Sequence, residues 1–138
     1  MMIEERFLNY VKFDTTSDPA SATVPSTMKQ KELARFLVDE LHEMGIENAY
    51  MNDFGEVYAH IEANCDMKER IGFIAHMDTS SDCSGKDVSP RVIRDYDGSD
   101  IELNPRVILS PKEFKNLYRH LHQDLIVTDG NTLLGGDD

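Results

Sequence analysis

An α/β domain, with a mixed sheet flanked by helices, is what this chain of 138 residues predicts. Three observations lead there. Two stretches place apolar residues at helical spacing behind recognisable start signals. Several short stretches alternate as strands do. Ile71 to Ala75 runs apolar without alternation, as expected of a strand covered on both faces.

The elements follow in order. Ile3, Phe7, Leu8 and Val11 recur at helical spacing and predict a short amphipathic helix, ended by the polar loop Asp14-Thr15-Thr16-Ser17-Asp18-Pro19. Thr27 with Gln30 has the pattern of a capping box. The stripe Leu33, Phe36, Leu37, Leu41 and Met44 then predicts a longer helix, with Gly45 as its stop. Asn48 to Met51 and Val57 to Ile61 predict a half-exposed hairpin around Asp53-Phe54-Gly55, with Val57, Ala59 and Ile61 on its covered face.

Ser80 to Val107 is polar and turn-rich, with Val92-Ile93 and Ile101-Glu102-Leu103 as small strands. Ser110-Pro111-Lys112-Glu113 combines an N-cap serine, a proline at the first helical position and a capping-box glutamate. Phe114, Leu117, Tyr118 and Leu121 continue it as a further helix. Leu125-Ile126-Val127 predicts a strand, Asp129-Gly130 a turn, and Thr132-Leu133-Leu134 an extended entry into the last four residues.

Bulk properties exclude several functions. There are 26 acidic against 14 basic residues, a net charge of −12, which opposes general binding to nucleic acid or to anionic membranes. No apolar run approaches the roughly 20 residues of a membrane span, and the N-terminus lacks the pattern of a signal peptide. Cys65 and Cys83, the only cysteines, suit a reducing compartment better than a disulfide framework. The expected location is the cytoplasm. The length suits one domain.

Chemistry concentrates in two places. In Ile71-Gly72-Phe73-Ile74-Ala75-His76-Met77-Asp78-Thr79, an apolar strand delivers an imidazole at its C-terminal end. In extended backbone, residues i and i+2 share a side, so Asp78 meets His76 and fixes its tautomer. Alone, this pair reads more readily as a structural hydrogen bond than as a metal site.

The second place is Leu133-Leu134-Gly135-Gly136-Asp137-Asp138, where two glycines permit the strained backbone that a metal-bridging carboxylate often needs. A solvated acidic terminus is the competing reading. Together the two motifs predict metallohydrolase chemistry, and a chain that stops inside its own active site. His42, His60, His120 and His122 are expected to be structural.

These residues carry a resemblance, running essentially end to end, to the tripeptide aminopeptidases of the M20 family of metallopeptidases. Its most specific parts are Ala75-His76-Met77-Asp78-Thr79-Ser80-Ser81-Asp82-Cys83-Ser84-Gly85-Lys86 and Thr128-Asp129-Gly130-Asn131-Thr132-Leu133-Leu134-Gly135-Gly136-Asp137-Asp138. Arg6-Phe7-Leu8-Asn9-Tyr10 and Val24-Pro25-Ser26-Thr27 support it.

The resemblance implies that residues 1–138 are the N-terminal portion of a zinc-exopeptidase-like catalytic domain, cut at the metal-bridging aspartate. It implies that His76 binds one zinc, Asp78 orients the imidazole as the catalytic carboxylate, and Asp137 bridges both zincs, with Asp138 completing the acidic pair. Metal-activated water would release the N-terminal residue of tripeptides. The family continues beyond its aspartate pair into a general-base glutamate and further ligands.

The isolated chain is accordingly expected to bind zinc weakly or not at all and to be inactive. Its uncovered sheet would invite self-association. A non-catalytic truncated product, acting as an oligomeric or partner-binding module, is the alternative. Other M20 substrates, those of carboxypeptidases, deacylases and desuccinylases, are disfavoured by Asp82 to Lys86.

Overall fold

A computed structural model of the chain describes residues 2–66 and 68–136. They gather into two compact units, residues 2–14 with 82–136, and residues 15–81. The secondary structure is mixed and compatible with an α/β class. The described strands, however, form three separate two-stranded antiparallel sheets in place of the expected mixed sheet.

The unit of residues 15–81 is built on the longer helix, α2, Gln30–Glu43, which packs against the hairpin of β1, Tyr50–Met51, and β2, Val57–Tyr58. Of the predicted stripe Leu33 is buried, Phe36, Leu37 and Leu41 are half-buried and Met44 at its end is half exposed, while Ala34 and Ala49, outside the stripe, are buried as well. The capping box does not form. Thr27 Oγ1 donates instead to the carbonyl of Thr16 at 2.8 Å, so residues 27–30 enter the helix as a turn. Gly45 takes φ 85° and ends it.

The hairpin pairs Tyr50 with Tyr58 and Met51 with Val57, and the two tyrosine rings stack with centroids 5.4 Å apart. It is shorter than the alternation predicts, and Ile61 is exposed. The side-chain amide of Asn48 takes over the next rung, donating to the His60 carbonyl at 2.8 Å and accepting from its N–H at 2.9 Å. A side chain that satisfies both backbone groups replaces the ladder there.

Ile71 to Ala75 departs most from expectation. It is not a strand: Ile71, Phe73 and Ile74 are 83%, 95% and 100% exposed. A doubly covered strand needs neighbours on both edges and faces. Among the described residues none pairs with this segment.

The other unit begins with helix α1, Ile3–Tyr10, whose stripe leads into buried Val11 while Ile3 stays exposed. Strand β3, Arg91–Ile93, pairs with β6, Leu125–Val127. Strand β4, Ile101–Asn104, pairs with β5, Val107–Leu109, through a turn in which the Asn104 side chain accepts the Arg106 N–H at 2.9 Å. Strand β5 was not among the expected strands, and its first residue, Val107, closes the stretch expected to be turn-rich. Val11, Val88, Tyr96, Ile101 and Val127 are this unit's buried apolar residues.

The helix expected after Ser110 is a 3-10 helix, Lys115–His120. Ser110 does start a turn, its carbonyl accepting from Glu113 and Phe114. Phe114 then leaves helical space at φ −103°, ψ 73°. Phe114, Tyr118 and Leu121 remain largely exposed, so no packed face stabilises a regular α-helix.

Candidate metal centre

His76 and Asp78 meet as the i, i+2 spacing requires. The ring Nδ1 lies 3.1 Å from Asp78 Oδ1, with the side chains 60% and 48% exposed. Nδ1–H donating to the carboxylate places the ring lone pair on Nε2, the atom a metal would take. The support arrives on a loop, not at the end of a strand.

What holds the pair is the next residue. Thr79 N–H donates to the Thr15 carbonyl at 3.2 Å, and its own carbonyl accepts from the Ser17 N–H and Ser17 Oγ, both at 2.9 Å. A single parallel bridge links Thr16 to Thr79, and Thr15 is 2% exposed. Thr27 in turn ties Thr16 to the approach of α2. The polar loop at 14–19, read only as a connection, is therefore the anchor of the His-x-Asp segment. The run of small hydroxyl residues was its one signal.

The second motif is organised within its own unit. Asp129 accepts from the Asn131 N–H at 2.9 Å and from its side-chain amide at 3.1 Å, which holds its carboxyl below the usual range. Asn104 donates to the Asp129 carbonyl at 2.8 Å, and buried Thr128 bonds to Gly130 and Thr132. This folded loop delivers Leu133, whose N–H donates to the Ser84 carbonyl at 2.9 Å. Ser84 lies near the end of the first motif block, so one backbone bond links Leu133 to that stretch.

Both glycines before the acidic pair have a physical reason. Gly135 takes φ 66°, which an L side chain rarely adopts. A methyl group on Gly136 would stand 2.5 Å from Phe7 Cε2, 2.9 Å from Cζ and 3.3 Å from Val11 Cγ1. Asp137 and Asp138 lie outside the described residues.

The other histidines have partners suited to holding structure. His42 bonds the Ala49 carbonyl at 2.9 Å, His60 lies 3.5 Å from Glu62, His120 bonds Gln123 at 2.9 Å, and His122 bonds Asp95 at 2.9 Å. Cys65 and Cys83 are exposed thiols. Among the described residues no group of three or more His, Cys, Asp or Glu side chains is placed to hold a metal. One supported imidazole fits a zinc ligand by donor chemistry, but a structural or catalytic zinc needs at least three protein ligands. No helix among the described residues is long and apolar enough to cross a membrane.

A histidine oriented by a carboxylate is the kind of ligand support a metal-dependent hydrolase uses. Comparison with known proteins narrows this. The chain is 51% identical over 137 residues to the peptidase T of Clostridium acetobutylicum, covering 97% of the chain and 34% of that protein. It is 49% identical to the peptidase T of Halothermothrix orenii, over 99% of the chain and 34% of the relative. With that of Shewanella pealeana it is also 49% identical, over 97% of the chain and 33% of the relative. No family model matches. By sequence the chain is similar to proteins named peptidase T, and it spans about a third of the length of the curated relatives it matches.

Proposed function

We propose that this chain is the N-terminal portion of the catalytic domain of a dizinc tripeptide aminopeptidase of the M20 type, working in the cytoplasm on short peptides. The observation that carries the reading is the similarity to peptidase T, 51% identical over 97% of the chain, together with the His76–Asp78 pair at 3.1 Å.

In this reading His76 Nε2 and the Asp137 carboxylate are metal ligands. Asp78 fixes the imidazole's tautomer and orientation, and the hydrogen bonds of Thr79 to Thr15 and Ser17 keep the loop in place. Zinc, when bound, supplies Lewis-acid assistance and lowers the pKa of water. The general base and remaining ligands belong to the part of the family's length that this chain does not span, so residues 1–138 alone are inactive.

The test is reassembly. The chain is mixed with a separately expressed segment corresponding to the remaining two-thirds of a peptidase T relative, and zinc-dependent release of the N-terminal residue from a tripeptide is followed. Activity from the mixture and none from either piece supports the proposal. No activity with both pieces folded and associated contradicts it.

A second reading has its own observation. The exposed apolar run Ile71 to Ala75 suits self-association or partner binding by a non-catalytic product. Sedimentation at increasing concentration separates the two: a stable monomer removes the support for this alternative.

A further inference from the structure

The sequence contains two aspartate-glycine steps, Asp97-Gly98 and Asp129-Gly130. Such a step is open to an intramolecular reaction. Without a Cβ on the following residue, its nitrogen can approach the aspartate side-chain carbon and close a succinimide ring. The structure treats the two steps differently. At Asp129 the Gly130 N–H donates to Thr128 Oγ1 at 3.2 Å, both carboxylate oxygens accept from Asn131, and the carbonyl accepts from Asn104 at 2.8 Å. A methyl group on Gly130 would stand 2.7 Å from Asn104 Nδ2, 3.0 Å from Leu103 Cβ and 3.2 Å from Val107 Cβ. Attack by this nitrogen requires these contacts to open first.

Asp97-Gly98 lies at the tip of the loop that follows β3. The base of that loop is held. Arg94 donates to both carboxylate oxygens of Glu4, at 2.8 and 2.6 Å, and to Asp124 at 2.6 Å. The Tyr96 N–H donates to the Gln123 carbonyl at 2.9 Å, and the His122 N–H to the Tyr96 carbonyl at 2.8 Å. At the tip, Asp97 is exposed and its carboxylate accepts the Ser99 N–H at 2.9 Å. Among the described residues neither the Gly98 N–H nor the Asp97 carbonyl has a hydrogen-bond partner. The Ser99 hydroxyl and N–H hold the Asp97 carboxyl below its ordinary range, as Asn131 does for Asp129. That effect slows both steps alike, so the difference between them lies at the glycine.

We propose that Asp97-Gly98 is a site of spontaneous isoaspartate formation and that the fold protects Asp129-Gly130 from the same reaction. The Gly98 nitrogen adds to the protonated Asp97 carboxyl, and its proton leaves with the carboxyl hydroxyl as water, giving the succinimide. Water then opens the ring. Opening at the side-chain carbonyl restores aspartate, whereas opening at the backbone carbonyl leaves the chain running through the side-chain carbon with the α-carboxylate free. The product carries an additional methylene in its backbone between Tyr96 and Ser99. The buried Tyr96 hydroxyl donates to the Ser99 carbonyl at 2.8 Å across this step, so conversion disrupts that closure and loosens the loop.

The test ages the full chain at mildly acidic pH, folded and, in parallel, unfolded in urea. Peptide mapping with electron-transfer fragmentation distinguishes isoaspartate from aspartate at equal mass and locates it. In urea the ratio of conversion at 97 to conversion at 129 gives the intrinsic reactivity of the two steps. In the folded chain that ratio should shift toward 97 by at least about fivefold, the factor that one hydrogen bond to be broken first represents. An unshifted ratio overturns the proposal, as does an absence of conversion at 97 over times at which the unfolded chain converts there. The measurement needs neither zinc nor activity, so its outcome is independent of the proposed catalytic role.

Discussion

His76 Nδ1 and Asp78 Oδ1 stand 3.1 Å apart on a loop whose following residue, Thr79, is bonded on both sides to residues 15–17. The carboxylate fixes the ring's tautomer and the loop fixes the carboxylate. Asp78→Ala should therefore weaken zinc affinity of the reassembled protein by about 10- to 100-fold. The thermal midpoint of the isolated chain should barely move, because both side chains are about half exposed. Competition with a chromophoric chelator measures the first quantity, and equal affinity for wild type and variant contradicts the assignment.

Ser17 contributes through its hydroxyl as well as its N–H, both reaching the Thr79 carbonyl at 2.9 Å. Ser17→Ala removes one of these and should cost about 1 kcal/mol. A urea titration should show a lower midpoint at unchanged slope. An unshifted midpoint would mean that Thr79 is held without it.

Ile74 is fully exposed, so Ile74→Lys should change the stability of the isolated chain by no more than about 0.5 kcal/mol. In the mixture with the remaining two-thirds of a relative, the same substitution should sharply reduce the yield of complex, because a charge would enter a covered sheet. Size-exclusion chromatography reads both forms. Normal assembly would show that Ile71 to Ala75 is not the covered strand of the complete enzyme.

The Arg94 guanidinium holds the Asp124 carboxyl below its ordinary value, with help from the Asp95 N–H, while the two carboxylates raise Arg94 beyond any accessible pH. A folded-state value below the unfolded one means that the carboxylate's contribution is complete above the unfolded pKa and is lost as pH falls through the folded one. The stability difference between wild type and Arg94→Gln should therefore be constant from neutrality down to about pH 4, the ordinary carboxylate range, and shrink below it. Urea midpoints across that range test this, and a difference that shrinks on the alkaline side contradicts it.

Local signals carried much of the fold. The stripe from Leu33 to Leu41 and the stop at Gly45 located α2, and Leu125-Ile126-Val127 located β6. The i, i+2 rule places Asp78 beside His76, as the structure has it. Misses arose where an element's state depends on what covers it. Ile71 to Ala75 has the composition of a buried strand and no partner among the described residues, and the Ser110 turn starts a helix that its uncovered stripe does not sustain. Strand β5 was hidden because Asn104-Pro105-Arg106 reads as loop, although the apolar triplet Val107-Ile108-Leu109 follows it. The approach of Phe7 to Gly136 and the bond of Thr15 to Thr79 were invisible, since each joins residues far apart along the chain.

The most direct measurement is elemental analysis of zinc in the reassembled complex, comparing wild type with His76→Ala and Asp137→Ala. The proposal predicts that each substitution lowers the zinc content below that of the wild-type complex. Full zinc retention by both variants, with assembly intact, would contradict it.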